Sequence, residues 1–152
     1  MPNNLQVKLG RRPPPGPLAA DVFELVESPV PQPGPGEFRV RVHYVSLDPA
    51  MRGWVSDTRS YVPPVAVGEV MRSYAVGIVE ASLHPEFKNG EAVQGLLGVQ
   101  RYAISKGRHV VKVDPVAAPL QRWVGGLGMP GWTAYFGLLE VGQPKPRETI
   151  VV

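Results

Sequence analysis

Hydrophobic and polar side chains alternate most regularly over residues 38–44. Phe38, Val40, Val42 and Tyr44 fall on one face and Arg39, Arg41 and His43 on the other. A period of two marks a half-buried strand. Further strand-like runs cover residues 5–10, Asp21–Glu27, Tyr74–Leu83, Glu91–Leu97, Val99–Ser105 and His109–Val113. The last three are bounded by Gly, Asn, Lys-Gly or Asp-Pro, which favour turns. Arg11–Pro17 reads as an extended arm and Pro29–Gly36 as a Pro/Gly loop. Short strands at this spacing predict a mostly β domain, a closed or nearly closed β-barrel rather than a βαβ fold.

Short helices are expected at three places. Asp48-Pro49 sets an N-cap acid before a proline at the first helical position, predicting a helix of little more than Pro49–Trp54. A second is expected near Pro119–Gly125. The third and longest covers 130–141, where Trp132, Tyr135, Phe136 and Leu139 recur at i, i+3, i+4, i+7 as one apolar stripe. Gly142 is its expected C′ residue, and Pro144 and Pro146 forbid continuation. Thr149–Val152 then reads as an apolar, β-branched strand suited to burial on both faces in a parallel sheet. The expected division is a barrel domain at 1–128, a connecting helix and turn at 129–147, and the opening of a nucleotide-binding domain at 148–152, where the chain reads as cut.

Composition narrows the function classes. The chain has 152 residues, 43% apolar and 19% charged, a globular balance. Its 18 prolines and 17 glycines agree with many turns and little helix. The net charge of +3 comes from scattered lysines and arginines, so no nucleic-acid arm is indicated. No cysteine is present, which removes disulfides, thiolate nucleophiles and Cys-rich zinc sites. Residues 1–8 carry no signal peptide and no apolar run is long enough to span a membrane, so a cytoplasmic protein is expected.

Several motifs have modest readings. Arg11, Pro14 and Pro17 match a PxxP ligand pattern, but a surface arm in polyproline conformation accounts for them. His43, His84 and His109 have no metal-ligand spacing and read as solvated surface residues. Gly125-Gly126-Leu127-Gly128 resembles a phosphate cradle, yet Pro130 withdraws a backbone N–H from the helix start, which favours a hinge or close-packing role. Asp48 reads as a helix cap. Glu69, flanked by Val67 and Val70, is an acid in an apolar setting, either structural or at a site.

Taken in order, Ser46-Leu47-Asp48-Pro49-Ala50-Met51-Arg52-Gly53, Tyr61-Val62-Pro63-Pro64, Val67-Gly68-Glu69-Val70-Met71, His84–Glu91 and Gly128-Met129-Pro130-Gly131-Trp132-Thr133-Ala134-Tyr135-Phe136-Gly137 resemble the zinc-independent medium-chain dehydrogenases/reductases. The likeness is strongest to the branch of prostaglandin, alkenal and curcumin reductases and runs from about Arg12 to Val152. It implies a GroES-like barrel followed by a Rossmann domain, with NADPH reducing the carbon–carbon double bond of an enone or enal without a metal. It implies that Pro49, Met129 and Thr133 lie on the cofactor side and Met51, Arg52, Tyr61, Glu69 and Met71 on the substrate side. No catalytic residue is assigned. Ala50 departs from the tyrosine usual at that position, which widens the expected pocket. Ser46, Asp48, Gly68 and Glu69 stand near the places where zinc-dependent cousins keep their ligands, and offer neither thiolate nor imidazole.

The reading is thus the GroES-like domain of an NADPH-dependent double-bond reductase acting on a small enone or enal, with no nucleic-acid or membrane partner and a homodimer possible. The 152 residues alone are expected to be inactive, because most of the cofactor site would lie beyond them. Rival readings are a quinone reductase of the same superfamily, a free-standing binding module, and an OB-like nucleic-acid binder. The last lacks aromatics interleaved with basic residues on its strands.

Overall fold

The structure is a computed structural model that describes residues 3–58 and 60–151. Among the described residues seven strands form two antiparallel sheets. Strands β1 (Asn3–Leu9) and β2 (Phe23–Pro29) make a two-stranded ribbon in register from Asn3 opposite Pro29 to Leu9 opposite Phe23. Strands β3 (Phe38–Val45), β4 (Tyr74–Ser82), β5 (Ala92–Leu96), β6 (Tyr102–Ser105) and β7 (Val110–Lys112) form the larger sheet in the order β6-β3-β4-β5-β7. The expected mostly β fold is borne out. Among the described residues β6 and β7 do not pair, so the sheet is not closed into a ring.

The ribbon is tied to the sheet through loops rather than a strand ladder. Val7 donates its N–H to Val99 and accepts from Met71, and Leu9 likewise exchanges with Glu69 and Gly68, at 2.7 to 3.0 Å. Asn4, 2% exposed, acts as an artificial rung. Its Nδ2 donates to the Tyr102 carbonyl at 3.0 Å and its Oδ1 accepts the Tyr102 N–H at 2.9 Å. A buried amide satisfied on both sides avoids the cost of an unpaired polar group.

Two apolar clusters result. One lies on the large sheet around Phe38, Val40, Val79, Phe87 and Val93. Phe38 and Phe87 stack with ring centroids 4.2 Å apart, an arrangement worth about 1 kcal/mol beyond the buried area. The other joins Leu9, Val22, Trp54, Val55, Val65 and Met71 between the ribbon and helix α1 (Ala50–Trp54).

The differences from the expected elements have local causes. A bulge at His43 shifts the β3 register from Val42 opposite Gly77 to Tyr44 opposite Val76. The alternation therefore flips: Val45 packs on the core and Tyr44 is 45% exposed. Gly77 is required there, because a Cβ would stand on the Arg41 carbonyl. The run from Asp21 begins as a 3-10 turn at Ala20–Val22, and β6 starts only at Tyr102 after Gly98 turns with φ +73°. The 119–125 helix is a 3-10 helix over Leu120–Val124. Helix α2 (Met129–Phe136) continues as a π-helical stretch, Gly137–Gly142. The left-handed residue ending it is Gln143, φ 45°, rather than a C′ Gly142. The apolar stripe is not buried against the sheets: Trp132, Tyr135, Phe136 and Leu139 are exposed. Thr149–Val151 form no paired strand, and Val152 lies outside the described residues. His84 is not a loose surface side chain, since its ring stands edge-on to both Phe38 and Phe87.

Candidate functional site

A cavity of about 540 Å³ opens between the start of α1, the loop leading from it to β4, the end of β5 and the start of α2. Each wall follows from local sequence. Pro49 is the residue preceding α1, with φ −54° preset by its ring, and the Asp48 carbonyl accepts the Met51 N–H at 2.9 Å. The Asp48 carboxylate does not cap this helix, contrary to expectation; its Oδ1 accepts the Ser46 hydroxyl at 2.8 Å. Opposite, Pro130 fits the first turn of α2, where a missing N–H costs nothing. Gly131 lies against the Gly126 carbonyl so closely that a Cβ would collide with it. Gly125–Gly128 therefore serves close packing, as its sequence suggested, and sets Met129, Pro130 and Thr133 on the cavity wall.

The candidate residues divide. Pro49, Tyr61, Met129 and Thr133 line this cavity together. Met51, Arg52 and Met71 line a second, shallower cavity of about 400 Å³, which shares Asp48 and Pro49 with the first. Met71 is 2% exposed within the core cluster. Arg52 is spent on structure. Its Nη1 donates to the Ser56 hydroxyl, and its Nη2 to the Pro14 and Gly16 carbonyls, so it straps the Pro-rich arm to α1. Glu69 lines neither cavity. It is exposed, and its Oε2 accepts the Ala66 N–H at 3.2 Å across a turn, which corrects the apolar setting read from its neighbours.

The Thr133 hydroxyl donates to the Met129 carbonyl at 2.8 Å, one helical turn back. Its proton is committed, but its oxygen keeps lone pairs for a donor entering the cavity. The remaining lining includes Trp54, Val62, Arg72, Tyr74 and Leu96, which sequence reasoning did not assign to a site. Apolar and aromatic residues among strands read as core, and no sequence signal separates a cavity wall from a core wall. Arg72 donates from Nη1 to the Pro63 carbonyl at 3.0 Å and stands 5.5 Å above the Trp54 ring. Among the described residues no three His, Asp or Glu side chains gather as a metal site.

Residues 6–113 match a family described as the N-terminal domain of oxidoreductase. The chain is 48% identical over 130 residues to the NADPH-dependent curcumin reductase of Escherichia coli (strain K12), covering 86% of this chain and 38% of that protein. It is 37% identical over 121 residues to the NADP(+)-dependent 2-alkenal reductase of Nicotiana tabacum, covering 78% and 35%. The crystal structure of CurA from Vibrio vulnificus in complex with NADPH superposes with a TM-score of 0.85 at 45% identity, covering 93% of this chain and 42% of that one. The chain thus belongs to the N-terminal oxidoreductase domain family, in the zinc-independent branch of the medium-chain dehydrogenases/reductases. It spans about two-fifths of the length of these relatives.

Proposed function

We propose that these residues form the substrate-side domain of an NADPH-dependent reductase that saturates the carbon–carbon double bond of α,β-unsaturated carbonyl compounds. The observation that carries this reading is the meeting of Pro49, Tyr61, Met129 and Thr133, drawn from three separate parts of the chain, around one largely apolar cavity. The names and NADPH complex of the relatives above support it. In this reading residues 1–128 are the substrate-side domain, 129–147 the connection, and the dinucleotide domain begins at about 148.

The cavity suits a nicotinamide ring. Pro49, Met129 and Pro130 offer apolar faces, and the Thr133 oxygen would accept from a carboxamide N–H2. NADPH when bound would supply a hydride for the β-carbon of the substrate. The chain's own contribution is placement and polarity. Apolar walls exclude water, and the exposed Tyr61 phenol is the O–H donor for the carbonyl oxygen where negative charge develops. Ala50 leaves room for a branched or aromatic substituent.

The reading is tested on the full-length protein by following NADPH oxidation with enones and enals and identifying the saturated carbonyl product. Thr133→Val is expected to raise the Michaelis constant for NADPH about five- to tenfold, the worth of one hydrogen bond, and to leave that for the enone nearly unchanged. NADPH oxidation by quinones alone, with no enone reduced, would replace this reading by a quinone reductase.

A further inference from the structure

Arg72 stands apart from the rest of the cavity. Among the described residues it and Asp48 are the two charged ones in the lining, and the walls around them are otherwise apolar, hydroxylic or aromatic. Arg72 is half-buried and held from two sides, by the Pro63 carbonyl at 3.0 Å and by the Trp54 ring at 5.5 Å. A guanidinium has five N–H donors in a planar fork. One serves Pro63. Among the described residues no carboxylate lies within ion-pairing reach of Arg72, whereas Arg11, Arg39, Arg41, Lys106 and Lys112 each have one. Asp48 does not neutralise it, and the Asp48 Oδ1 is engaged by Ser46.

Trp54 lines the same cavity and is 7% exposed, and its ring is the surface on which the Arg72 guanidinium rests. A cation held in place on one wall of a largely apolar cavity, with N–H donors left over in its planar fork, matches a planar anion with two oxygens.

Resting on the reductase reading, we propose that Arg72, held in place by the Trp54 ring, is a specificity-determining residue that receives a carboxylate carried by the substrate, so that enones bearing an acid group are preferred over their neutral counterparts. The carboxylate lies at the Arg72 wall and takes no part in the reaction. The test compares, in the full-length protein, an enone ending in a carboxylate with its methyl ester, alongside binding of decanoate and decan-1-ol. The expected result is a higher kcat/KM for the acid than for the ester. Arg72→Met should lower the acid's kcat/KM at least tenfold and move the ester's less than threefold. Arg72→Lys, which keeps charge but loses the fork, should fall between. Decanoate should bind more tightly than decan-1-ol, and Arg72→Met should abolish the difference. An acid-to-ester ratio unchanged by Arg72→Met overturns the proposal while leaving the reductase reading in place. So does a rise in the Michaelis constant for NADPH in that variant, which would mean that Arg72 serves a cofactor phosphate. Arg72-dependent decanoate binding in a protein that reduces no enone would instead overturn the reductase reading and keep the carboxylate site.

Discussion

At the scale of single residues, charge is used sparingly and locally. Glu91 illustrates this. Its Oε1 is 2.8 Å from the Lys112 ammonium and its Oε2 accepts the Lys88 N–H at 2.8 Å. These contacts, Lys112 first, hold its carboxyl below the ordinary value of 4.5. A depressed carboxylate pKa stabilises the fold above the unfolded-state value, and the contribution is lost as pH falls through the folded-state value. Glu91→Gln should therefore melt below the parent at neutral pH, with the gap closing as the medium is acidified below about pH 4.5, as thermal melts across that range would report. The resemblance of short motifs to a known family conveyed part of the site. Pro49, Tyr61, Met129 and Thr133 were marked by motif and meet around one cavity. Arg72 and Trp54 were not, because an arginine beside a strand and a tryptophan on a short helix look the same in sequence whether they face a core, a cavity or water.

At the scale of elements, strands were the more legible half. Alternation and flanking turn residues located all seven within a few positions, because both act locally. What escaped depended on neighbours distant in sequence. The His43 bulge is settled by β4, and the exposure of the α2 stripe by what surrounds it. The same holds for the link between the Pro-rich arm and α1. That link gives Arg52 a structural part, through donations to Pro14, Gly16 and Ser56. Arg52→Ala should lower unfolding stability by about 1–2 kcal/mol, the range for hydrogen bonds from a charged donor at a partly exposed site. Urea titration would measure this. The companion expectation is a change of less than twofold in the Michaelis constant of a neutral enone, since substrate contact would move that constant further.

At the scale of the whole molecule, the two sheets are unequal. Strands β3 and β4 are paired on both sides, whereas the ribbon meets the rest through a few loop hydrogen bonds and the isolated bridges Gln6–Gln100 and Lys8–Val70. Native-state hydrogen exchange should resolve this, with amides of Val40 and Val79 protected at least tenfold more than those of Leu25 and Val26. Uniform protection would mean that ribbon and sheet open as one unit. The span of those links bears on how the chain is made. The side-chain Nε2 of Gln6 donates to the Oε1 of Gln100, 94 residues further on. Strand β1 leaves the ribosome long before the loops that will hold it, and closing so long a loop comes late. Until then β1 and β2 are an exposed edge in a growing polypeptide, the stretch a chaperone would be expected to grasp first and release last.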